Sequence, residues 1–224
     1  MPQACIFSDR RAAGRALGAE LAPLGLNDPV VLALPRGGVP VGYEVAQRLA
    51  APLDVLVVRK VGAPGQPELA IGAVGRGVTV SDDDTLALLG VTREYFEAAA
   101  GQERLEVERR ERMFREGRPP LDLHGRTAIL VDDGLATGST MLAAVGVARQ
   151  LGAAQIVVAV PVAAREAVAR LAARADRVVT LATPEPFAAV GYWYEDFTQT
   201  DDAEVRSLLR LTAPEPRLAP LGSG

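Results

Sequence analysis

The chain contains very few of the residues on which many active sites depend. Its 224 residues include one cysteine, Cys5, one histidine, His124, and one lysine, Lys60. A single cysteine cannot form an intrachain disulfide, and a single histidine in the turn-like LDLHGR argues against catalytic triads and multi-histidine metal sites. Chemistry that needs several of these residues is therefore disfavoured.

Long apolar runs and a strong net charge are also missing. The strand-like runs break at Pro35, Arg59, Asp132 and Pro161, so none approaches the roughly 18–20 residues that cross a bilayer. The beginning of the chain lacks a signal-peptide pattern. A net charge of −4 and a pI near 5.2 give no bulk attraction to nucleic acid or anionic membrane. We expect a soluble, reduced, cytoplasmic protein that binds neither nucleic acid nor membrane.

Short β-branched runs alternate with stretches rich in alanine and leucine. The continuous apolar character of the runs indicates strands that are buried on both faces, as in a parallel sheet. We expect strands at 30–34, 53–58, 127–131, 155–162 and 177–181, and crossover helices at 39–51, 138–151 and 163–174. The pattern predicts an α/β fold with a mostly parallel central sheet flanked by helices.

We expect the chain to divide into an α/β core at 1–182, a C-terminal segment at 183–212 that belongs to a small hood, and a disordered tail at 213–224. The core contains a charged helical insertion at about 82–118. Its helix at 92–117 has Thr92 as N-cap and glutamate–arginine pairs at three- and four-residue spacing. The simplest interpretation is a solvated helix. As an insertion it could also cap a site or form a subunit contact.

One short motif, ILVDDGLATGST at 129–140, carries most of the functional information. Asp132 and Asp133 end an apolar strand, where carboxylates can accept hydrogen bonds from vicinal hydroxyls and help to hold hydrated Mg²⁺. The loop at 134–140 is rich in small residues and hydroxyls and opens a helix, so its N–H groups can wrap a phosphate. It lacks the Gly-Lys-Ser/Thr of a nucleoside triphosphate loop.

This motif resembles the phosphoribosyl pyrophosphate signature of type I phosphoribosyltransferases. The resemblance implies that Asp132 and Asp133 hold the ribose hydroxyls and, through water or those hydroxyls, Mg²⁺. It also implies a phosphate loop that encloses the 5-phosphate, with Gly134, Ala136, Thr137, Gly138, Ser139 and Thr140 as substrate-binding residues. The reaction displaces pyrophosphate from the anomeric carbon by a nitrogen nucleophile and needs no covalent catalyst.

Two further segments fit the same pocket. LALPRGGVPVG at 32–42 resembles the pyrophosphate loop of the family, so Arg36, Gly37 and Gly38 should face the pyrophosphate. Family members also carry basic residues near the position of Arg59 and Lys60. We expect both to bind substrate, with Asp132, Asp133, Arg36 and Lys60 as the catalytic set. The loop from Gly62 to Pro67 could then serve as a mobile lid.

The acceptor base is less well defined. Family members that act on 6-oxopurines usually carry an aspartate where this chain has Ala136, which argues against such an acceptor. A hood, formed by 187–197 (FAAVGYWYEDF) with the N-terminal segment, should cover the base. Phe187, Tyr192 and Trp193 are candidate stacking partners, although they could equally form the core of the hood itself.

Two functions other than catalysis of nucleotide formation remain open. The same signature occurs in regulators that bind phosphoribosyl pyrophosphate without turning it over, but the chain has no obvious helix-turn-helix extension. Phosphoribosyl pyrophosphate synthesis would need ATP-binding elements and a longer chain, and ranks last. We expect a phosphoribosyltransferase with a small heterocyclic acceptor and Mg²⁺ as cofactor. The resemblance also makes a homodimer a candidate assembly, since family members are often dimers.

Overall fold

The chain alternates strands and helices over most of its length. The computed structural model of the protein describes residues 5–212, so the expected tail lies outside the described residues. Within that part the chain forms eight strands: β1 (Pro29–Ala33), β2 (Leu53–Val55), β3 (Val58–Ala63), β4 (Gln66–Gly75), β5 (Val78–Ser81), β6 (Thr127–Val131), β7 (Gln155–Val162) and β8 (Arg177–Ala182).

Five of these strands form the central sheet in the order β2-β1-β6-β7-β8, and all neighbours are parallel. This confirms the α/β fold with a mostly parallel central sheet. β6 occupies the middle position, and all five of its residues are buried. Residues that directly follow β6 therefore emerge at the centre of the carboxyl edge, where ligands of such sheets bind.

Helices cover both faces of the central sheet. They are α1 (Arg10–Leu21), α2 (Gly38–Leu49), α3 (Asp83–Leu89), α4 (Arg93–Arg115), α5 (Ser139–Gln150), α6 (Arg165–Ala172) and α7 (Asp202–Leu211). Val31 and Ile129 pack in the cluster that contains α1 and α2 residues, whereas Leu32 and Leu130 pack with α5 and α6. Successive strand residues thus point to opposite faces, as the pleat requires.

A second, smaller sheet was not expected from the sequence. β3, β4 and β5 form an antiparallel sheet in that order. The expected single strand at 53–58 is therefore wrong, because β2 ends at Val55 and Val58 already belongs to β3. The Leu56 amide still donates to Ala33 at 3.0 Å before the chain leaves the central sheet. Both pieces are apolar, so composition alone could not reveal the break.

The charged helix α4 is amphipathic. The Thr92 hydroxyl accepts a hydrogen bond from the Tyr95 amide at 3.2 Å, as the N-cap pattern predicts. Its buried face includes Phe96 and Phe114, which join the main core cluster. Although α4 is 23 residues long, neither it nor any other helix in residues 5–212 is apolar enough to span a membrane. The helix therefore belongs to the packed core on one face and to solvent on the other.

A buried group of four charged side chains joins α4 to the core. Asp54 of β2 accepts from Arg115 at 2.9 Å and from Arg76 at 2.7 Å, and the Leu121 amide donates to it at 3.1 Å. Arg115 also pairs with Glu111 at 3.0 Å. Two carboxylates thus face two guanidiniums, and each ion has hydrogen-bonded partners, as burial of charge requires.

Replacement of Asp54 by alanine would leave Arg76 and Arg115 without their shared carboxylate. We expect the free energy of unfolding to fall by about 3–5 kcal/mol, because removal of one partner leaves the other charges buried and uncompensated. Urea denaturation at neutral pH measures this loss.

Glu106→Ala is the matched control, since Glu106 pairs with Arg109 and Arg110 on the exposed face of α4. Its urea midpoint should stay close to that of the unchanged protein. Equal losses in the two variants would contradict a special role for the buried group.

Candidate active site

The acidic pair lies at the centre of the carboxyl edge. Asp132 and Asp133 directly follow β6, and the Leu34 amide donates to Val131 at 2.8 Å, which holds the ends of β1 and β6 together. Burial raises the pKa of Asp132 well above its usual range, and the neighbouring Asp133 carboxylate raises it further. Burial also raises the pKa of Asp133, but the Arg10 guanidinium opposes that shift.

The phosphate loop at 134–140 is anchored at both ends. Leu135 bridges the end of β7, because its amide donates to Val162 at 2.9 Å and its carbonyl accepts from Ala164 at 2.8 Å. Gly138 has a φ of 70°, in the left-handed region that favours glycine, and α5 begins at the next residue. The loop therefore presents the amino end of α5 to the site, an arrangement that favours a bound anion.

Polar side chains of the phosphate loop lie close together. The hydroxyls of Thr137 and Ser139 are 3.2 Å apart. The Arg170 guanidinium of α6 donates to the Thr137 carbonyl oxygen. Ala136, Thr137 and Thr140 are exposed, so the hydroxyls of the two threonines are accessible to a ligand. The contact from Arg170 supports the backbone of the loop.

The loop of residues 35–38 (PRGG) lies directly against the acidic pair. A Cβ atom on Gly37 would stand 2.0 Å from Asp133 Oδ2, and one on Gly38 would stand 2.6 Å from the Val131 carbonyl oxygen. The φ of Gly37 is −60°, which any residue can adopt. Glycine is therefore needed here because a side chain would collide with the neighbouring loop. It is not needed for an unusual backbone conformation.

Arg36 lies at the rim of the site. Its peptide bond with Pro35 is cis. The guanidinium Nη1 is 3.9 Å from Asp202 Oδ1 at the start of α7, and the side chain is 40% exposed. Arg36 is thus accessible to a ligand, while its role at the pyrophosphate stays a prediction.

Arg59 and Lys60 point to opposite faces of β3. Arg59 donates to Glu103 of α4 at 2.7 Å. Lys60 shares its face with Val58, which packs against the cluster that contains α5. Since adjacent strand residues alternate, the two basic side chains cannot both face one ligand without a change of backbone, and Lys60 is on the side of the phosphate loop helix.

The expected lid forms a tight hairpin. β3 extends to Ala63 and β4 begins at Gln66, so only Pro64 and Gly65 lie between the strands. The pairing is irregular at Gly62 and Ala63, where the register shifts. Movement of this hairpin over the site stays a prediction.

The hood joins the N-terminal segment of the described chain to residues 187–197. The amides of Ile6 and Phe7 both donate to the Trp193 carbonyl oxygen at 3.0 Å, and the Phe7 carbonyl accepts from Glu195 at 2.9 Å. Trp193 is only 3% exposed and packs inside the hood, whereas Tyr192 is 68% exposed. These two side chains thus have different environments, and the third candidate, Phe187, packs against Trp193 with the ring centres 6.1 Å apart.

Phe187 lines a cavity of about 780 Å³ beside the phosphate loop. The lining also includes Ala136 and Thr137 of that loop, together with Ala164 and Arg165 after β7. Of the three aromatic candidates, Phe187 is the one that shares a cavity with the phosphate loop.

Sequence reasoning missed Arg10, which reaches the acidic pair from the start of α1. Its Nε donates to Asp133 Oδ2 at 2.9 Å. Tyr194 of the hood also contacts Asp133, because its hydroxyl donates to the Asp133 carbonyl oxygen at 2.6 Å. Arg10 is 123 positions from Asp133 in the chain, and no local pattern marks it as part of the site.

Gly37→Ala should disrupt the contact between the two loops. Because the new methyl group would overlap Asp133, we expect a loss of about 1–3 kcal/mol in the free energy of unfolding, typical of overpacking. Gly101→Ala is the control, since a Cβ there meets nothing within 4 Å. That control lies within α4 and should gain about 0.5–1 kcal/mol. Thermal unfolding compares them; a neutral Gly37→Ala would argue against the tight contact.

Known proteins resemble the chain over most of its length. Two curated proteins from strains of Mycobacterium tuberculosis, provisionally named phosphoribosyl transferases, are each 52% identical over 205 residues, which is 91% of this chain and 46% of theirs. The chain thus spans about half the length of these relatives. The crystal structure of TT1426 from Thermus thermophilus is 50% identical, covers 93% of this chain and 99% of its own, and has a TM-score of 0.87.

The phosphoribosyl transferase domain family matches residues 10–196. This span includes the acidic pair, the phosphate loop, the PRGG loop and most of the hood. The chain therefore belongs to the phosphoribosyl transferase domain family.

Proposed function

We propose that the protein is a Mg²⁺-dependent phosphoribosyltransferase. It transfers the 5-phosphoribosyl group of phosphoribosyl pyrophosphate to a nitrogen atom of a small heterocyclic acceptor and releases pyrophosphate. One observation carries this proposal: the acidic pair, the phosphate loop and the PRGG loop meet at one edge of the sheet, with Gly37 fitted against Asp133. Sites for ribose hydroxyls, 5-phosphate and pyrophosphate are therefore adjacent.

The residues of the site act by binding and orientation. Asp132 and Asp133 accept hydrogen bonds from the ribose hydroxyls, and the phosphate loop with the amino end of α5 binds the 5-phosphate. The backbone of Gly37 and Gly38 and the Arg36 side chain bind the leaving pyrophosphate. Fixing the ring between these groups brings the anomeric carbon towards the acceptor, which lowers the entropic part of the barrier.

Mg²⁺ would accompany the diphosphate as part of the bound substrate. Residues 5–212 contain no group of three or more carboxylate, histidine or cysteine residues placed to hold a metal ion. The donor set fits an ion held by substrate oxygens and water, with Asp132 and Asp133 as outer acceptors. Bound there, Mg²⁺ supplies positive charge that stabilises the departing pyrophosphate.

The acceptor would bind in the cavity between the phosphate loop and the hood. Ala136 and Ala164 make one side apolar, and Phe187 offers an aromatic face. Arg165 pairs with Glu185 at 2.7 Å, and both side chains are more than half exposed. Ala136 gives no carboxylate to a purine ring, which supports an acceptor other than a 6-oxopurine.

Conversion of the acidic pair to amides tests the ribose site. Because the pKa of Asp132 is raised in the folded protein, its carboxyl group stabilises the fold when protonated, and that contribution is lost as the pH rises through the folded pKa. Asp132→Asn should therefore be at least as stable at pH 7, since the amide oxygen can still accept from the Asp133 amide. It should nevertheless bind phosphoribosyl pyrophosphate far more weakly. Calorimetry and thermal unfolding measure the two properties separately.

The reaction itself is tested with a metabolite extract. Purified protein, phosphoribosyl pyrophosphate and Mg²⁺ should yield a phosphoribosylated product by mass spectrometry, and the Asp132→Asn/Asp133→Asn double variant should yield none. Tight binding without any product would instead favour a regulator that senses phosphoribosyl pyrophosphate. Unchanged affinity in the double variant would rule out the assigned ribose site.

Phe187→Ala tests the acceptor pocket. We expect the KM for the acceptor found in that assay to rise by about three- to tenfold, as loss of an aromatic contact predicts. The Kd for phosphoribosyl pyrophosphate should not change. Tyr192→Ala is the control because that side chain is 68% exposed. A similar rise in KM for both variants would remove the special role of Phe187.

A further inference from the structure

Arg10 is held by contacts on several sides although it begins a helix near the chain terminus. Its Nε and Nη2 both lie 2.9 Å from Asp133 Oδ2. The third nitrogen, Nη1, donates to the Thr198 carbonyl oxygen at 2.7 Å. The guanidinium carbon lies 3.8 Å from the centre of the Phe197 ring, and the side chain is 11% exposed. These contacts together restrict the orientation of the guanidinium.

These contacts differ from those of an ordinary surface ion pair. Exposed pairs contribute little because water screens them and both side chains lose conformational freedom. At Arg10 the aromatic ring covers one face of the guanidinium, and a planar fork meets a single carboxylate oxygen. The pair therefore determines where the Asp133 carboxylate points.

The position of Asp133 Oδ2 is restricted from two sides. Arg10 approaches it from α1, and the backbone of Gly37 lies against it from the PRGG loop. Because Oδ2 takes both Arg10 contacts, Oδ1 is the oxygen that remains for a ligand hydroxyl. An Asp133 side chain released from Arg10 could rotate about its χ angles and lose this presentation.

The hood is tied to the same residue. Phe197 belongs to the hood and Thr198 directly follows it, so Arg10 links this segment to the Asp133 carboxylate. Tyr194 provides a second link through the Asp133 carbonyl oxygen. Burial raises the pKa of the Tyr194 phenol, which keeps this donor protonated. The acid that would contact ribose and the segment that would cover the acceptor are thus joined by the side chains of Arg10 and Tyr194.

We propose that Arg10 is a positioning residue that presents Asp133 to the ribose hydroxyls and fastens the hood over the acceptor cavity. The first half of this proposal rests on the proposed function, because it assigns Asp133 to the ribose. The second half concerns the ligand-free protein. The three guanidinium nitrogens of Arg10 contact Asp133 and Thr198, so its assigned role is to position Asp133.

Arg10→Ala is compared with Arg10→Lys and with a control on the same helix. Arg11→Ala is that control, since Arg11 is more exposed and contacts Glu44 at 3.4 Å on the surface of α2. We expect Arg10→Ala to raise the Kd for phosphoribosyl pyrophosphate by roughly tenfold or more, as loss of a charged hydrogen-bonded pair predicts. Arg10→Lys keeps the positive charge without the planar fork, so its Kd should lie between those of Arg10→Ala and the unchanged protein. The Kd of Arg11→Ala should match that of the unchanged protein.

Trp193 reports on the hood, because it is the only tryptophan of the chain and is 3% exposed. Acrylamide quenching of its fluorescence without ligand should increase in Arg10→Ala and stay unchanged in Arg11→Ala. A purely structural role of Arg10 would reduce the folded fraction while the folded molecules kept their Kd. Calorimetry gives the Kd and the active fraction separately.

The measured Kd values distinguish a failure of the positioning role of Arg10 from a failure of the proposed function. If the unchanged protein binds phosphoribosyl pyrophosphate and Arg10→Ala binds it equally well, the positioning role is wrong while the proposed function stands. If the unchanged protein shows no binding, the proposed function and the ribose half of this proposal both fail. Unaltered quenching in Arg10→Ala would overturn the hood half.

Discussion

The site depends on a space between two loops that is too small for a methyl group. Gly37 and Gly38 let the loop after β1 lie against the acids after β6, with a Cβ position only 2.0 Å from the Asp133 carboxylate. Neighbouring parallel strands bring these loops to the same edge, but only a residue without a side chain lets them touch. The pyrophosphate and ribose sites of the proposed enzyme are adjacent because this contact is possible.

The same closeness gives the site a cost in stability. Two carboxylates are partly withdrawn from water next to each other, and burial raises the pKa of both. Arg10 offsets part of this cost at Asp133, whereas the hydrogen-bond partner of Asp132 within residues 5–212 is the Asp133 amide, which donates to it at 2.9 Å. Functional groups are often held in such unfavourable settings, since the rest of the fold stabilises them.

Local patterns in the sequence predicted the elements that depend on near neighbours. The Thr92 cap of α4 and the strand-loop-helix at 127–151 are set by residues a few positions apart. Composition could not divide the apolar run at 53–58 between two sheets, since its residues suit either. Arg10 could not be found at all, because its meeting with Asp133 follows from the path of the whole chain. Contacts between residues that are far apart in the sequence can be identified only once the fold is known.

The ion group of Asp54 also has a consequence for the order of folding. Asp54 lies in the central sheet, while Arg115 comes 61 positions later, at the end of α4. Strand β2 therefore carries an unmatched charge until the segment that contains Arg76 and Arg115 has docked, and the chain must pay for closing that segment before the ion pairs can form. The central sheet and the segment inserted between β2 and β6 should consequently acquire native structure in one cooperative step, with neither persisting as a folded unit by itself.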